Sequence, residues 1–388
     1  MYALNASTRR KKNMIYKKFQ DKQLSALGMG CMRFPTVDGD ISKIDEKKTE
    51  EMFDYAIANG VNYFDTAWGY HNGQSEYIVG KLLKKYPRES YYLADKFPGY
   101  DVNNFGKVEE IFEEQLKKVG VEYFDFYLFH SVCQNNIEQY LDDSYGTYEY
   151  LIEQKRNGRI RHLGFSAHAD LPDLKRFLEK FGKDIEFCQL QINWFDWTFQ
   201  NAEQSMALLA EYGIPVWVME PVRGGKIANL APNQGAKLKA LRPDESVAAW
   251  AFRFLQTLPN VGVVLSGMSN FEQVKENIQT YSEEKPLNDA EWDTLQEIAK
   301  EMISQLTPCT ACRYCTEYCP QGLNIPVLLE LYNEQKFSGG SILVRRTINR
   351  MEEDKRPSAC LQCRACEGVC PQRIAISEVL ADFAERLK

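Results

Sequence analysis

No stretch of the 388-residue chain approaches the ~20 consecutive apolar residues of a membrane-spanning helix. Positive charge is not in excess either: the net charge of −7 argues against a general nucleic-acid binder. A basic cluster at residues 9–12 has no apolar run behind it, so it reads as neither a secretion signal nor a membrane anchor. Residues 1–13 read as either a disordered extension or a misassigned start, before a more strand-like segment opens at Met14. A G-x-G-x-x-G phrase is missing after the first apolar run; Gly28-Met29-Gly30-Cys31 is too short to count. No residue pattern announces a flavin. The fractions that are present, 44% hydrophobic and 26% charged, are those of an ordinary globular protein. The length suits one large domain plus a small one, and a cytoplasmic location is expected.

Cysteine is where the chain is rich. Eight of its 11 cysteines fall in two copies of one phrase, Cys309-x2-Cys312-x2-Cys315-x3-Cys319-Pro320 and Cys360-x2-Cys363-x2-Cys366-x3-Cys370-Pro371. Structural zinc takes four ligands, usually from two separated pairs, and needs neither this density nor the proline. Disulfides do not suit a chain with no secretion signal. Each phrase resembles the bacterial ferredoxin run. The resemblance implies two [4Fe–4S] clusters, each held by three thiolates of one run and the fourth of the other. Cys309, Cys312, Cys315 and Cys370 would hold one cluster, and Cys360, Cys363, Cys366 and Cys319 the other. The 40 residues between the runs are too many for a minimal ferredoxin and helical in composition, broken at Ser338-Gly339-Gly340-Ser341. Residues 305–388 are therefore expected to be a small α-helical ferredoxin-like domain, nearly balanced in charge. Such clusters suggest a cell with little oxygen. Cys31, Cys133 and Cys188 sit in apolar stretches and read as small core residues.

From residue 24 to about 266, short apolar runs alternate with amphipathic stretches. The runs lie at 24–32, 61–65, 91–96, 124–130, 162–166, 187–190, 215–219 and 261–265. Helical patterns lie between them, at 49–59, 75–86, 108–119, 148–157, 171–181, 202–212 and 246–258. Gly60, Gly120, Gly158 and Gly213 stand where a helix would stop before the next strand. Strand then helix, eight times over, predicts an α/β fold of the (β/α)8 TIM-barrel type over residues 14–304. The final part of that range, at 272–281 and 289–304, reads as two further helices. An open doubly wound sheet is the competing arrangement.

Barrels of this kind gather chemistry at the carboxyl ends of their strands. Asp65 ends the second run, with Tyr70 five residues on; Lys96 ends the third and His130 the fourth. Singly, Tyr70 would read as a surface aromatic, His130 as a core histidine, and Asp65 with Lys96 as a structural ion pair. Together at matching strand ends they read as catalytic. A Lys96 ammonium held by Asp65 would favour the Tyr70 phenolate, and His130 could orient a substrate oxygen. The set and its surroundings, Phe64-Asp65-Thr66-Ala67-x-Gly69-Tyr70, Gly73-x-Ser75-Glu76-x3-Gly80 and Gly164-Phe165-Ser166, resemble the aldo/keto reductase family. The resemblance implies hydride transfer from a nicotinamide to an aldehyde or ketone, with Asp65, Tyr70, Lys96 and His130 catalytic and Tyr70 the proton donor.

The same resemblance implies a nicotinamide site. Gly30 and Met32 would flank it. Ser166 and Gln189 would hold the carboxamide, although Ala167 and His168 replace the Asn that often helps, and Met219 would pack on the ring. Glu220, Pro221, Val222 and Gly224 would form the loop under the pyrophosphate. Ser266, Gly267, Ser269, Gln273, Glu276 and Asn277 would grip the adenosine end; a solvated helix face is the plain reading of the last two. Relatives specific for NADPH commonly carry Lys and Arg where Gly267 and Gln273 stand, so NADPH is expected with NADH close behind. Phe34, Trp68, Trp194, Phe195 and Trp197 suggest either an apolar wall for an aromatic or apolar carbonyl, or ordinary loop packing.

A nicotinamide gives two electrons at once and each cluster takes one, which leaves three arrangements open. The barrel works as a reductase with accessory clusters; or a ferredoxin or flavoprotein partner feeds the barrel through them; or the barrel is the scaffold of an electron-transfer subunit.

Overall fold

The computed structural model describes residues 14–309 and 313–388; the predicted extension at 1–13 and Cys312 lie outside the described residues. The backbone divides into two compact units between Leu295 and Gln296.

The first unit is built on a closed barrel of eight parallel strands in the order β10-β3-β4-β5-β6-β7-β8-β9. These are β3 (Leu27–Gly30), β4 (Tyr63–Asp65), β5 (Tyr92–Phe97), β6 (Phe124–Val132), β7 (Ile160–Ala167), β8 (Phe187–Gln191), β9 (Val216–Met219) and β10 (Val261–Ser266). Helices follow the strands as the periodicity predicts, among them Glu46–Ala58, Ser75–Leu83, Val108–Val119, Leu171–Phe181 and Val247–Thr257. Gly60, Gly120, Gly158 and Gly213 all take positive φ, between 68° and 95°, a conformation that costs a residue with a Cβ and stops each helix in place.

An antiparallel hairpin of β1 (Tyr16–Phe19) and β2 (Lys22–Ser25), which the sequence reading did not foresee, precedes the barrel. Phe19 places its ring 5.7 Å from Phe126 and 5.1 Å from Trp217. Both of those residues lie near the starts of their strands, so the hairpin closes the amino-terminal end of the barrel. Tyr63, Phe126, Leu128, Phe187, Trp217, Val263 and Leu265 fill that end. It is a packed plug, and the opposite mouth is left for chemistry.

The second unit is helical, as expected. Helices Ile325–Ser338 and Ile342–Arg350 are separated by Gly339 in the left-handed conformation and by Ser341, whose side chain accepts from Val344 N–H. Leu323, Leu328, Leu329, Val344, Ile348, Ile376, Leu380 and Phe383 form its core. No helix among the described residues is long and apolar enough to cross a membrane.

Candidate active site and cluster cavities

Every barrel strand delivers one of the predicted residues toward its carboxyl end: Gly30, Asp65, Lys96, His130, Ser166, Gln189, Met219 and Ser266, from β3 to β10 in order. The Lys96 ammonium is the hub. Its Nζ donates to Asp65 Oδ1 at 2.6 Å, to the Thr66 carbonyl at 2.7 Å and to the Tyr70 hydroxyl at 3.2 Å. Lys96 is 1% exposed and Asp65 3%. Burial works against the charge on Lys96, but Asp65 and Tyr70 outweigh it and hold the amine above its ordinary value. Burial likewise lifts the Asp65 carboxyl above the usual carboxylate range, against the pull of Lys96.

Tyr70 departs from expectation in one respect. Lys96 does favour its phenolate, yet burial is the larger effect and pushes the hydroxyl up to about 12. Tyr70 is therefore a retained proton at neutral pH, suited to donation. Its ring faces His130 edge-on, centroids 6.1 Å apart.

His130 reaches the mouth because β6 carries an irregularity. The register of β6 on β7 shifts between Phe129 and Val132, with Ser131 at φ 61°. Ser166 Oγ accepts from Ser131 N–H at 2.7 Å and fixes the kink. Tyr100, unforeseen in the sequence, stands at the same mouth with its ring 5.2 Å from His130. Beside Tyr70, the neutral His71 ring accepts from Phe34 N–H at 3.0 Å and donates to the Ile41 carbonyl at 2.8 Å, tying down the loop after β3; burial lowers its basicity.

The other predicted nucleotide residues surround this center. Ser166 and Gln189 pair directly across β7 and β8. Gln189 is 3% exposed, and its Oε1 has no hydrogen-bond partner among the described residues. Met219 and Glu220 are half-buried, and Met32 is exposed. Pro221, Val222 and Gly224 continue into a turn where Glu220, Arg223, Gly224 and Gly225 all have positive φ. Asn277 donates to Ser266 Oγ at 3.1 Å, and Gln273 Oε1 accepts from Ser269 N–H at 2.7 Å. Glu276 accepts from Ser246 Oγ, at the start of the neighboring helix. Gly267 lies beneath the stem of Arg33.

The aromatic residues take the packing role. Phe34, Trp194 and Phe195 are buried, Trp68 lies under Lys118, and Trp197 sits edge-on to Phe254 and Trp292. Buried Cys31 and Cys188 are core residues as predicted, whereas Cys133 is only half-buried.

In the second unit the described run cysteines line two cavities. Cys319, Cys360, Cys363 and Cys366 line one cavity, with Leu323, Ile325 and Leu380 behind them. Cys309, Cys315 and Cys370 line another, with Pro326, Leu329 and Ile374. Among the described residues no three His, Cys, Asp or Glu side chains converge as they would around a single ion. The thiols line two cavities. Leu323 N–H points at Cys319 Sγ, 3.4 Å away, the kind of contact that steadies a thiolate.

The profile described as the aldo/keto reductase family matches residues 26–300. The chain belongs to the aldo/keto reductase family. A 4Fe-4S dicluster domain follows at residues 308–375. Among family members, the uncharacterized oxidoreductase YqkF of Bacillus subtilis is 27% identical over 73% of this chain and 95% of its own. The NADH-specific methylglyoxal reductase of Escherichia coli is 26% identical over 73% of this chain and 97% of its own. An aldo-keto reductase of Bacillus halodurans in its apo form superposes with a TM-score of 0.58 at 26% identity, covering 74% of this chain and 96% of that one. The chain is thus an oxidoreductase-family barrel joined to an iron–sulfur domain.

Proposed function

We propose that this aldo/keto reductase reduces a small aldehyde or ketone with NAD(P)H, with Asp65, Tyr70, Lys96 and His130 as its catalytic set. The observation that carries this reading is the buried Lys96 ammonium touching both the Asp65 carboxylate and the Tyr70 hydroxyl at the barrel mouth. The nucleotide site fits its group at Gln189, whose buried, unpartnered Oε1 is an acceptor for the amide N–H of a carboxamide. When bound, the nicotinamide supplies the hydride. The chain does the rest. Tyr70 gives its proton to the carbonyl oxygen, Lys96 stabilizes the charge left on the Tyr70 oxygen, and Asp65 keeps Lys96 charged and aimed. His130 contributes a hydrogen bond to the substrate oxygen and orients the carbonyl toward Tyr70.

NADPH is the nucleotide proposed on the family resemblance, with NADH close behind, because Gly267 and Gln273 offer a 2′-phosphate no cation and the E. coli relative is named NADH-specific. Methylglyoxal, the substrate in that relative's name, is the first carbonyl to try.

The eight run cysteines are proposed to hold two [4Fe–4S] clusters in the three-plus-one pairing. Cys312→Ser and Cys363→Ser should each drop the iron content well below the about eight per chain of two cubes. Iron analysis checks this, and unchanged iron in either variant contradicts the assignment.

One observation favors a second reading, in which a ferredoxin or flavoprotein exchanges electrons with the clusters. Cys363 is exposed and Leu361 beside it is 61% exposed, so this cavity opens at the surface of its unit. An anaerobic titration with NADPH and then NADH separates the two. Nucleotide consumption by a carbonyl with no bleaching of the iron–sulfur absorbance supports the simple reductase. Bleaching by either nucleotide means that the two halves exchange electrons.

A further inference from the structure

A cluster of buried polar groups behind Lys96 takes no part in the chemistry described above. It lies where β5 meets helices Ser75–Leu83 and Val108–Val119. Asp95, Glu76, Gln115 and Tyr127 are each 0% exposed. Gln115 is its center. Its Oε1 accepts from the Tyr127 hydroxyl at 2.5 Å, which leaves Nε2 facing three acceptors. These are Asp95 Oδ1 at 2.8 Å, Glu76 Oε1 at 3.0 Å and the Lys96 carbonyl at 3.1 Å. Asp95 Oδ1 also accepts from the Lys96 backbone N–H at 2.8 Å, so the cluster holds the Lys96 main chain at both ends. Lys118 Nζ donates to Glu76 Oε2 at 3.1 Å and lies 3.4 Å over the ring of Trp68, in the loop that carries Tyr70.

Hydrogens and cations both run short here. The Gln115 amide nitrogen has two hydrogens for its three acceptors. Three buried carboxyls face two ammonium groups: Lys96 pairs with Asp65 and Lys118 with Glu76. Asp95 is left over, and its Oδ2 has no hydrogen-bond partner among the described residues. A buried carboxylate without a counter-charge takes up a proton rather than keep its charge. We propose that Asp95 and Glu76 hold one proton between them at neutral pH, on Asp95, and that Asp95 positions Lys96 through its main chain. The positioning half rests on the reductase reading above; the shared proton does not. Titration agrees with the geometry. Burial and then the charge of Glu76 raise Asp95 well above the carboxylate range. Burial raises Glu76 as well, but Lys118, Gln115 and a hydrogen bond with Asp95 pull it back. Two carboxyls make such a bond only when one of them carries a proton. A neutral Asp95 spares Lys96 a second anion, and its charge is left to Asp65 and Tyr70.

Asp95→Asn mimics the neutral acid and is compared with the parent as the full-length, iron-replete chain. The parent-minus-variant infrared spectrum at pH 7 should contain the carbonyl band of a protonated carboxyl. Stability has its own sign. Unfolded, Asp95 ionizes above about pH 4, whereas folded it keeps its proton. Folding of the parent therefore loses about tenfold per pH unit relative to the variant as the pH rises. Denaturant titrations between about pH 5 and pH 7 should show the variant gaining on the parent by that factor. A missing band, or a variant that does not gain, means an ionized Asp95 and overturns the proposal. Positioning is read from Asp95→Leu, which takes the acceptor from the Lys96 N–H. Its kcat for carbonyl reduction should fall about 10- to 100-fold with nucleotide binding unchanged, and Asp95→Asn should return most of the loss. Gln115→Met, which frees the Lys96 carbonyl, replaces Asp95→Leu if that variant does not fold. Full kcat in the variant that folds removes the positioning role. If the parent chain reduces no carbonyl, the reductase reading fails, while the infrared band and the stability slope still decide the proton.

Discussion

Tyr70→Phe should lower the rate of carbonyl reduction by roughly 100- to 10,000-fold, the contribution expected of a positioned general acid. Nucleotide affinity should not change, because the lost hydroxyl faces Lys96 and the substrate oxygen. The ring stays, and so does its edge-on contact with His130. Steady-state kinetics with methylglyoxal and nucleotide binding to the same variant check both halves. Retained turnover would remove Tyr70 from the chemistry. The pH profile carries the same signature. With the hydroxyl pushed up to about 12, the donor stays protonated through the neutral range, so the rate should hold there and fall only in strong alkali. Stability follows the same sign. Tyr70 and Lys96 both bind protons more tightly folded than unfolded, so their contribution is complete below about pH 10. It is lost as the pH rises through the folded-state values.

Lys96→Met should cost both activity and stability. The substitution leaves the Asp65 carboxylate, 3% exposed, without its counter-charge. Removing one partner of a buried ion pair typically costs about 3–5 kcal/mol. The loss should appear as a lower denaturant midpoint of the barrel, followed by far-ultraviolet circular dichroism. Adding Asp65→Asn should recover much of the stability, because the orphaned charge goes with it, and none of the turnover, because Tyr70 still lacks its ammonium. If the single variant is as stable as the parent, the triad is not the tightly coupled unit its distances describe.

The barrel was legible because two signals repeat along the chain. Apolar runs of strand length alternate with amphipathic helices, and glycines at 60, 120, 158 and 213 mark each handover. The two cysteine phrases were legible because their spacing repeats, and in the second unit cysteines of both phrases line each of two cavities. What stayed hidden depends on contacts between distant residues. The β1–β2 hairpin turns at Gln20, in a positive φ of 52° with no Asn-Gly or Asp-Gly to announce it. The Ser131 kink that aims His130 depends on Ser166, thirty-five residues later. The aromatic residues near the mouth could be named but not oriented, and most of them face inward. The sign of the Tyr70 shift was also beyond the sequence, which shows a neighboring lysine but not how deeply both groups are buried.

The most direct test is the fate of the transferred hydrogen. Under anaerobic conditions the iron-replete chain is given NADPH or NADH carrying deuterium at C4 of the nicotinamide, together with methylglyoxal. The alcohol product is then examined by mass spectrometry. Direct hydride transfer at the barrel mouth predicts deuterium on the former carbonyl carbon. Product formed without deuterium would mean that electrons arrive singly and protons come from water, and would contradict the account.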